Sequence, residues 1–299
     1  MKILFPTDKS DASIYAIKKT LPFLKQDYQI DIINVIDWGL FPTYVTFPTE
    51  EEKAFPEQKN NAQEVVESVK SFIESNGYKV RNADFAYGKP EKIILDMIKE
   101  KNYDLVAMGS HGKKGIRKWL GSLSRKIVSA SPIPTLIARP PINLAEPVKE
   151  VKEILISVDG SIYSYNAIKK ALCLLNLENS SIELVTVAPG TESLPVEITS
   201  DKEWLEKCLS KQEEVANEIM TESKKILIES GINPKAVFSL KGDAAEEIIN
   251  YTDKNRKDLI IMGSHGREGI SDILLGSVSK RVLDHATSPV LIVPSKKHL

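Results

Sequence analysis

The sequence predicts two tandem α/β domains, each built on a doubly wound, open, parallel five-stranded sheet of strand order 3-2-1-4-5. Three observations predict it. A long segment repeats in register along the chain, short β-rich runs alternate with longer amphipathic stretches, and 299 residues suffice for two domains that each bury an apolar core.

The repeat is clearest in DLVAMGSHG, ending at Gly112, against DLIIMGSHG, ending at Gly266. It extends outward: FPTDKSDAS around Asp8 matches SVDGSIYS around Asp159, and Gly88 matches Gly242. Leu-Gly-Ser-Leu-Ser from Leu120 matches Leu-Gly-Ser-Val-Ser from Leu275, and PTLIA matches PVLIV. Chance does not give such collinearity. Between the copies, PPINLAEPVKE from Pro140 to Glu150 carries three prolines and reads as an exposed linker. The expected division is domain 1 at 1–142, linker at 143–149 and domain 2 at 150–296, with the boundary near residue 145.

Each copy reads as β-α repeated, closing on a strand. The strands of the first are expected at Lys2 to Pro6, Gln29 to Ile36, Lys79 to Ala86, Asp104 to Met108 and Pro134 to Ala138. Those of the second are expected at Glu153 to Val158, Ser181 to Val187, Lys235 to Leu240, Asp258 to Met262 and Pro289 to Val293. Amphipathic stretches near Gln58 to Asn76 and Glu203 to Gly231 read as helices with one core-facing side. In the 3-2-1-4-5 order the winding reverses between the first and fourth strands, and ligands bind at that switch point. The residues just beyond those strands are Asp8 and Gly109 in one copy, Asp159 and Gly263 in the other.

Composition narrows the function classes. Forty basic against forty-one acidic residues give a formal net charge of −1, so no overall field favours nucleic acid or an anionic membrane. No apolar run approaches the roughly 20 residues that span a bilayer, and the N-terminus enters directly into a strand pattern, so a cytoplasmic protein is expected. Cys173 and Cys208 lack the spacing of a disulfide framework or zinc site and read as free thiols, one of them in a core.

The chemistry concentrates in the glycine-rich segment. In copy two, Gly263-Ser-His-Gly266 is followed by nine residues and then by Gly276-Ser277 opening a helical pattern. Glycines permit positive φ and close approach, and a loop of N–H groups leading into a helix N-terminus cradles an anion such as phosphate. Ser277 and Ser279 offer hydroxyl donors, and Asp159 at the end of the first strand suits the two hydroxyls of a ribose. Together these point to a nucleotide, against the alternative that the glycines only make tight turns.

With that spacing after a strand ending in Met-Gly, the chain resembles the universal stress protein family over essentially its whole length, twice. The resemblance implies an adenine nucleotide α-hydrolase-like fold and an ATP site in which Asp159 holds the ribose and the backbone of Val187 reads the adenine. Gly263, Gly266, Gly276, Ser277, Val278 and Ser279 would hold the phosphates, beside Met262. The matching positions of copy one are Asp8, Val35, Met108, Gly109, Gly112, Gly121, Ser122 and Ser124. There only eight residues separate Gly112 from Gly121, a shortening able to rotate the first helical turn and move Ser122 off the phosphate, so occupancy of copy one stays open.

Other residues carry less. His111 and His265 have no obvious carboxylate or serine partner for a triad and are expected to hydrogen-bond loop backbone. His285 and His298 are less suggestive. Lys113, Lys114 and Arg267 are able to reach a γ-phosphate or to remain solvated. The stretch from Asp37 to Phe55, rich in aromatics and proline, reads as a lid, as a partner surface or as local packing over the sheet edge, and Trp204 as similar packing in copy two. There is no Walker lysine and no carboxylate cluster dedicated to a metal, so no catalytic residue and no protein metal ligand is assigned. Any Mg²⁺ would be held mainly by the phosphates and water.

The expected function is thus a stress-response sensor or regulator binding ATP, AMP or ADP, with at most slow hydrolysis and an unidentified protein partner. The alternatives are a scaffold with empty sites and an adenylate-forming enzyme, the latter disfavoured by the absence of a Ser-Gly-Gly-x-Asp-Ser type loop after strand one. Apolar last strands at sheet edges, PTLIARP and PVLIVP, call for pairing or cover; the family resemblance implies that the two copies pair theirs as an internal pseudo-dimer, and two chains are then expected to form a homodimer of four domains.

Overall fold

The protein is described by a computed structural model that covers residues 1–37, 56–112, 120–140, 153–266 and 275–295. The linker 143–149, the aromatic positions 38–55, Lys113, Lys114, Arg267 and His298 lie outside the described residues. The chain divides into two compact units, Met1–Leu144 and Ala145–Leu299.

The first unit runs β1 (Lys2–Pro6), α1 (Asp11–Thr20), a 3-10 turn (Leu21–Phe23), β2 (Gln29–Asp37), α2 (Pro56–Ser75), β3 (Val80–Gly88), α3 (Pro90–Lys101), β4 (Leu105–Gly109), α4 (Ser122–Ala130) and β5 (Thr135–Ala138). Its strands pair in parallel in the order β3-β2-β1-β4-β5. β4 is buried at every residue and β1 at all but Lys2, because helices cover both faces of the sheet. Sequence sets the helix ends: the Ser10 hydroxyl accepts from the Ser13 N–H to start α1, and Pro90 starts α3, which stops at Asn102 in the left-handed conformation.

The second unit repeats the plan with β6 (Glu153–Ser157), α5 (Ile162–Leu174), β7 (Ser181–Ala188), α6 (Val196–Ser200), α7 (Lys202–Glu229), β8 (Ala236–Lys241), α8 (Ala244–Lys254), β9 (Leu259–Gly263), α9 (Ser277–His285) and β10 (Val290–Val293). A 3-10 turn at Thr191–Ser193 precedes α6. Its strand order, β8-β7-β6-β9-β10, is again parallel 3-2-1-4-5. Ser161, Asp201 and Asp243 cap α5, α7 and α8 through their side-chain oxygens.

The predicted fold class is the observed one, with small offsets. The fourth strands start one residue later than their apolar runs suggest because Asp104 and Asp258 serve as tethers. Their carboxylates accept from the Lys2 and Glu153 N–H groups at 2.9 and 3.0 Å. Each of these strands also runs one residue further, to its glycine, with the next N–H bonded to β5 at Ala138 or to β10 at Val293. The 3-10 turns and α6 were not legible in the apolar pattern. Neither cysteine is in a core: Cys173 is exposed on the outer face of α5 and Cys208 is half-buried on α7. Trp204 does not pack over the sheet, being 62% exposed in the first turn of α7.

At the strand N-terminal end, opposite the site, each unit is pinned by buried charge. In the first, Arg81 Nε donates to Asp31 at 2.9 Å and Tyr103 donates its hydroxyl hydrogen to the same carboxylate. In the second, Lys257 lies 2.7 Å from Glu183 and 2.9 Å from Glu153, and Tyr251 donates to Glu183. Partnering of this kind is what permits charge in an interior.

Candidate functional site

The site grows out of the turn after the first strand of each unit. The Asp159 carboxylate folds over its own turn, its Oδ1 accepting from the Ser161 N–H at 3.1 Å and from the Ser161 hydroxyl at 2.7 Å. Asp8 does the same with the Ser10 N–H at 3.0 Å. The turn needs a left-handed residue next, supplied by Gly160 (φ 81°) in one copy and by Lys9 (φ 57°) in the other.

The second oxygen of each aspartate points at the glycine loop. A Cβ on Gly266 would sit 2.7 Å from Asp159 Oδ2, and one on Gly112 would sit 2.7 Å from Asp8 Oδ2. These glycines, and Gly109, Gly121, Gly263 and Gly276, are therefore there for close approach; the positive φ angles lie elsewhere.

The helix that follows is anchored identically in both copies. The Gly276 N–H donates to the Ser264 carbonyl at 2.8 Å and the Gly121 N–H to the Ser110 carbonyl at 2.6 Å. Gly276 (φ −58°, ψ 155°) and Gly121 (φ −62°, ψ 156°) are the N-caps of α9 and α4, with no side chain to bond the first-turn amides. The shortened spacing of copy one thus leaves the helix start unrotated, because the same carbonyl-to-glycine bond fixes it on either side of the missing residue. The Ser279 hydroxyl, expected to face a ligand, donates instead to the Gly263 carbonyl at 2.9 Å, and Ser124 donates to the Gly109 carbonyl at 2.8 Å. Both serines are buried and lock the helix to the preceding strand, while Ser277 and Ser122 are exposed.

In the second unit these parts border a cleft of about 780 Å³ at the carboxyl ends of β6 and β9, the switch point of the sheet. All nine residues expected there line it: Asp159, Val187, Met262, Gly263, Gly266, Gly276, Ser277, Val278 and Ser279. In the first unit, Asp8, Val35, Met108, Gly109, Gly112, Gly121, Ser122 and Ser124 occupy the matching places at the ends of β1, β2 and β4 and the start of α4. Gly109 is the tighter of the two strand-end glycines, since a Cβ there would meet the Ala12 backbone at 2.5 Å, against 3.3 Å for the nearest atom at Gly263.

The cleft has a wall that sequence reasoning missed. Cys208, Lys211, Gln212, Val215, Ala216 and Ile219 of α7 face it. Their spacing of three and four residues was the available signal, masked because half of them are polar and read as a solvated face. The Lys211 ammonium pairs with Glu214 at 2.7 Å, and that hydrogen bond raises its pKa, so it stays cationic beside the cleft. His265 also faces the cleft, and contrary to expectation it has serine partners, with Nδ1 at 2.9 Å from Ser264 Oγ and 3.2 Å from Ser295 Oγ. His111 meets Ser110 in the same way at 2.9 Å. No group of three or more acidic, histidine or cysteine side chains able to hold a metal occurs among the described residues, and no described helix is long and apolar enough to cross a membrane.

Fold and site together define a tandem pair of doubly wound α/β domains with a glycine-lined cleft at the switch point. Known proteins show the same organisation. The sequence pattern of the Universal stress protein family matches residues 1–139 and again 150–294. Universal stress protein MJ0531 of Methanocaldococcus jannaschii is 36% identical over 149 residues, 49% of this chain and 84% of that protein. Universal stress protein Mb2028c of Mycobacterium bovis is similar along both halves, 23% identical over 277 residues, 88% of this chain and 86% of that one. Among solved structures, a universal stress protein from Archaeoglobus fulgidus shares the fold with a TM-score of 0.66 at 20% identity, covering 98% of this chain and 96% of its own. The chain belongs to the Universal stress protein family.

Proposed function

We propose that the protein binds an adenine nucleotide, ATP or its di- or monophosphate, in the cleft of the second unit, and that occupancy regulates association with a partner in a stress response. The observation that carries this reading is the convergence of Asp159, the Gly263 to Gly266 loop and the uncapped first turn of α9 on one cleft. The α9 amides and the positive end of its dipole suit phosphate, the Asp159 carboxylate suits ribose hydroxyls, and the apolar end beside Val187, Ile219 and Ile248 suits a base. Mg²⁺ would come with the nucleotide, held mainly by phosphate and water.

The first unit offers the same helix start and the same aspartate–glycine contact, which supports a second, weaker site there. Homodimerisation through edge strands and a cytoplasmic place of action complete the proposal. Thermal denaturation with and without ATP tests its core: saturating ATP raises the unfolding temperature of the wild type and not of Gly276→Trp. A wild type indifferent to millimolar ATP, ADP and AMP would instead favour a scaffold with empty clefts.

A further inference from the structure

We infer that Gln212 selects the base in the second unit's cleft, its amide oxygen accepting a hydrogen bond from an exocyclic amine such as that of adenine. The inference rests on the nucleotide reading above and goes beyond it to the residue that sets specificity.

Gln212 Oε1 is buried, borders the cleft and has no hydrogen-bond partner. Its amide nitrogen meets only the Cys208 sulfur, at 4.0 Å. A buried acceptor left without a donor is unfavourable and rare, and a ligand amine is the donor the cleft lacks. The position along the helix agrees. From Glu229 back to Gln212, α7 climbs about 26 Å, and β7 from Ser181 to Ala188 climbs about 23 Å, so Gln212 lies level with Val187 and Ala188 at the apolar end of the cleft. The phosphate cradle is at the other end, on α9.

The internal repeat supplies an independent observation. Gln58 of α2 stands nineteen residues before Gly77, as Gln212 stands nineteen before Gly231. The two helices end on matching bonds, Tyr78 N–H to the Ile73 carbonyl and Ile232 N–H to the Leu227 carbonyl.

An acceptor at this place favours an amine and opposes a carbonyl. ATP and inosine triphosphate differ at that group, amine against carbonyl, and at the adjoining N1, which carries a hydrogen only in inosine; comparing their affinities for the full chain by isothermal titration in wild type and in Gln212→Leu isolates the share of the discrimination that Gln212 supplies. The expected result is ATP binding about tenfold tighter than inosine triphosphate in the wild type, collapsing to within about twofold in Gln212→Leu through weaker ATP binding. Gln212→Glu, which keeps an acceptor, retains the preference. A preference unchanged in Gln212→Leu, or a wild type favouring inosine triphosphate, overturns the role of Gln212 while leaving nucleotide binding intact. Binding of neither nucleotide overturns both.

Discussion

Substituting alanine for the strand-end glycine should damage the two units unequally. At Gly109 the new Cβ would lie 2.5 Å from the Ala12 carbonyl carbon and 2.7 Å from the Ala12 oxygen and Ser13 nitrogen. These are backbone atoms in the first turn of α1, so no change of rotamer relieves the clash. Restoring ordinary contact requires β4 and α1 to part by about 1 Å, and overpacking of that kind costs about 3 kcal/mol. At about 2–4 °C per kcal/mol for a unit of this size, the transition of the first unit should fall by roughly 6–12 °C. At Gly263 the nearest atoms would be 3.3 and 3.4 Å away, a tight contact costing at most about 1 kcal/mol and so a few degrees. Scanning calorimetry of the full chain gives the shifts, and hydrogen exchange read by mass spectrometry assigns each transition to a unit. Equal losses from Gly109→Ala and Gly263→Ala would refute the reasoning.

Four further outcomes follow from other residues. Lys257→Met leaves Glu183, 7% exposed at its side chain, with the Tyr251 hydroxyl and, for opposing charge, Lys235 at 3.8 Å; it should cost about 3 kcal/mol in urea unfolding of the second unit. Burial pushes the Asp31 carboxyl up, but its hydrogen bonds from Arg81 and Tyr103 outweigh that and hold it below 3.8. The folded form therefore sheds this proton more readily than the unfolded one. Its contribution is complete above about pH 5, is lost as pH falls below the ordinary value, and should vanish from the acid limb of a stability–pH curve in Arg81→Met. On the alkaline side, burial and then the bond to Glu183 push Tyr251 up to about 12, so stability should decline between about pH 10 and 12 and Tyr251→Phe should remove that decline. Lys9→Gly, which relieves a left-handed lysine where the other copy has Gly160, should stabilise the first unit by roughly 0.5–1 kcal/mol in the same urea assay.

Much of the fold was readable because strands covered on both faces must be apolar throughout: LVAMG and LIIMG, the fourth strands, have no other physical reading once duplicated. The glycine loop was readable for a related reason, since a Cβ at Gly266 would crowd the Asp159 carboxylate at 2.7 Å. What escaped depended on the direction of single side chains. Ser279 was expected to offer its hydroxyl to a ligand, but helical phase turns it inward to the Gly263 carbonyl. Gln212 and Lys211 lie on a polar stretch of α7 that sequence cannot distinguish from a solvated face. Trp204 is exposed because α7 begins before the sheet can cover it, and Cys173 faces outward because Ala171 and Leu174 take the core side of α5.

The central claim, a nucleotide held on the Gly276 cradle, is tested most directly by equilibrium dialysis of labelled ATP against the full chain, with wild type, Gly276→Trp and Gly121→Trp compared. The account predicts saturable binding by the wild type that disappears in Gly276→Trp and survives, wholly or in larger part, in Gly121→Trp. Binding that persists unchanged in Gly276→Trp, or no binding by the wild type at millimolar ATP, would contradict it.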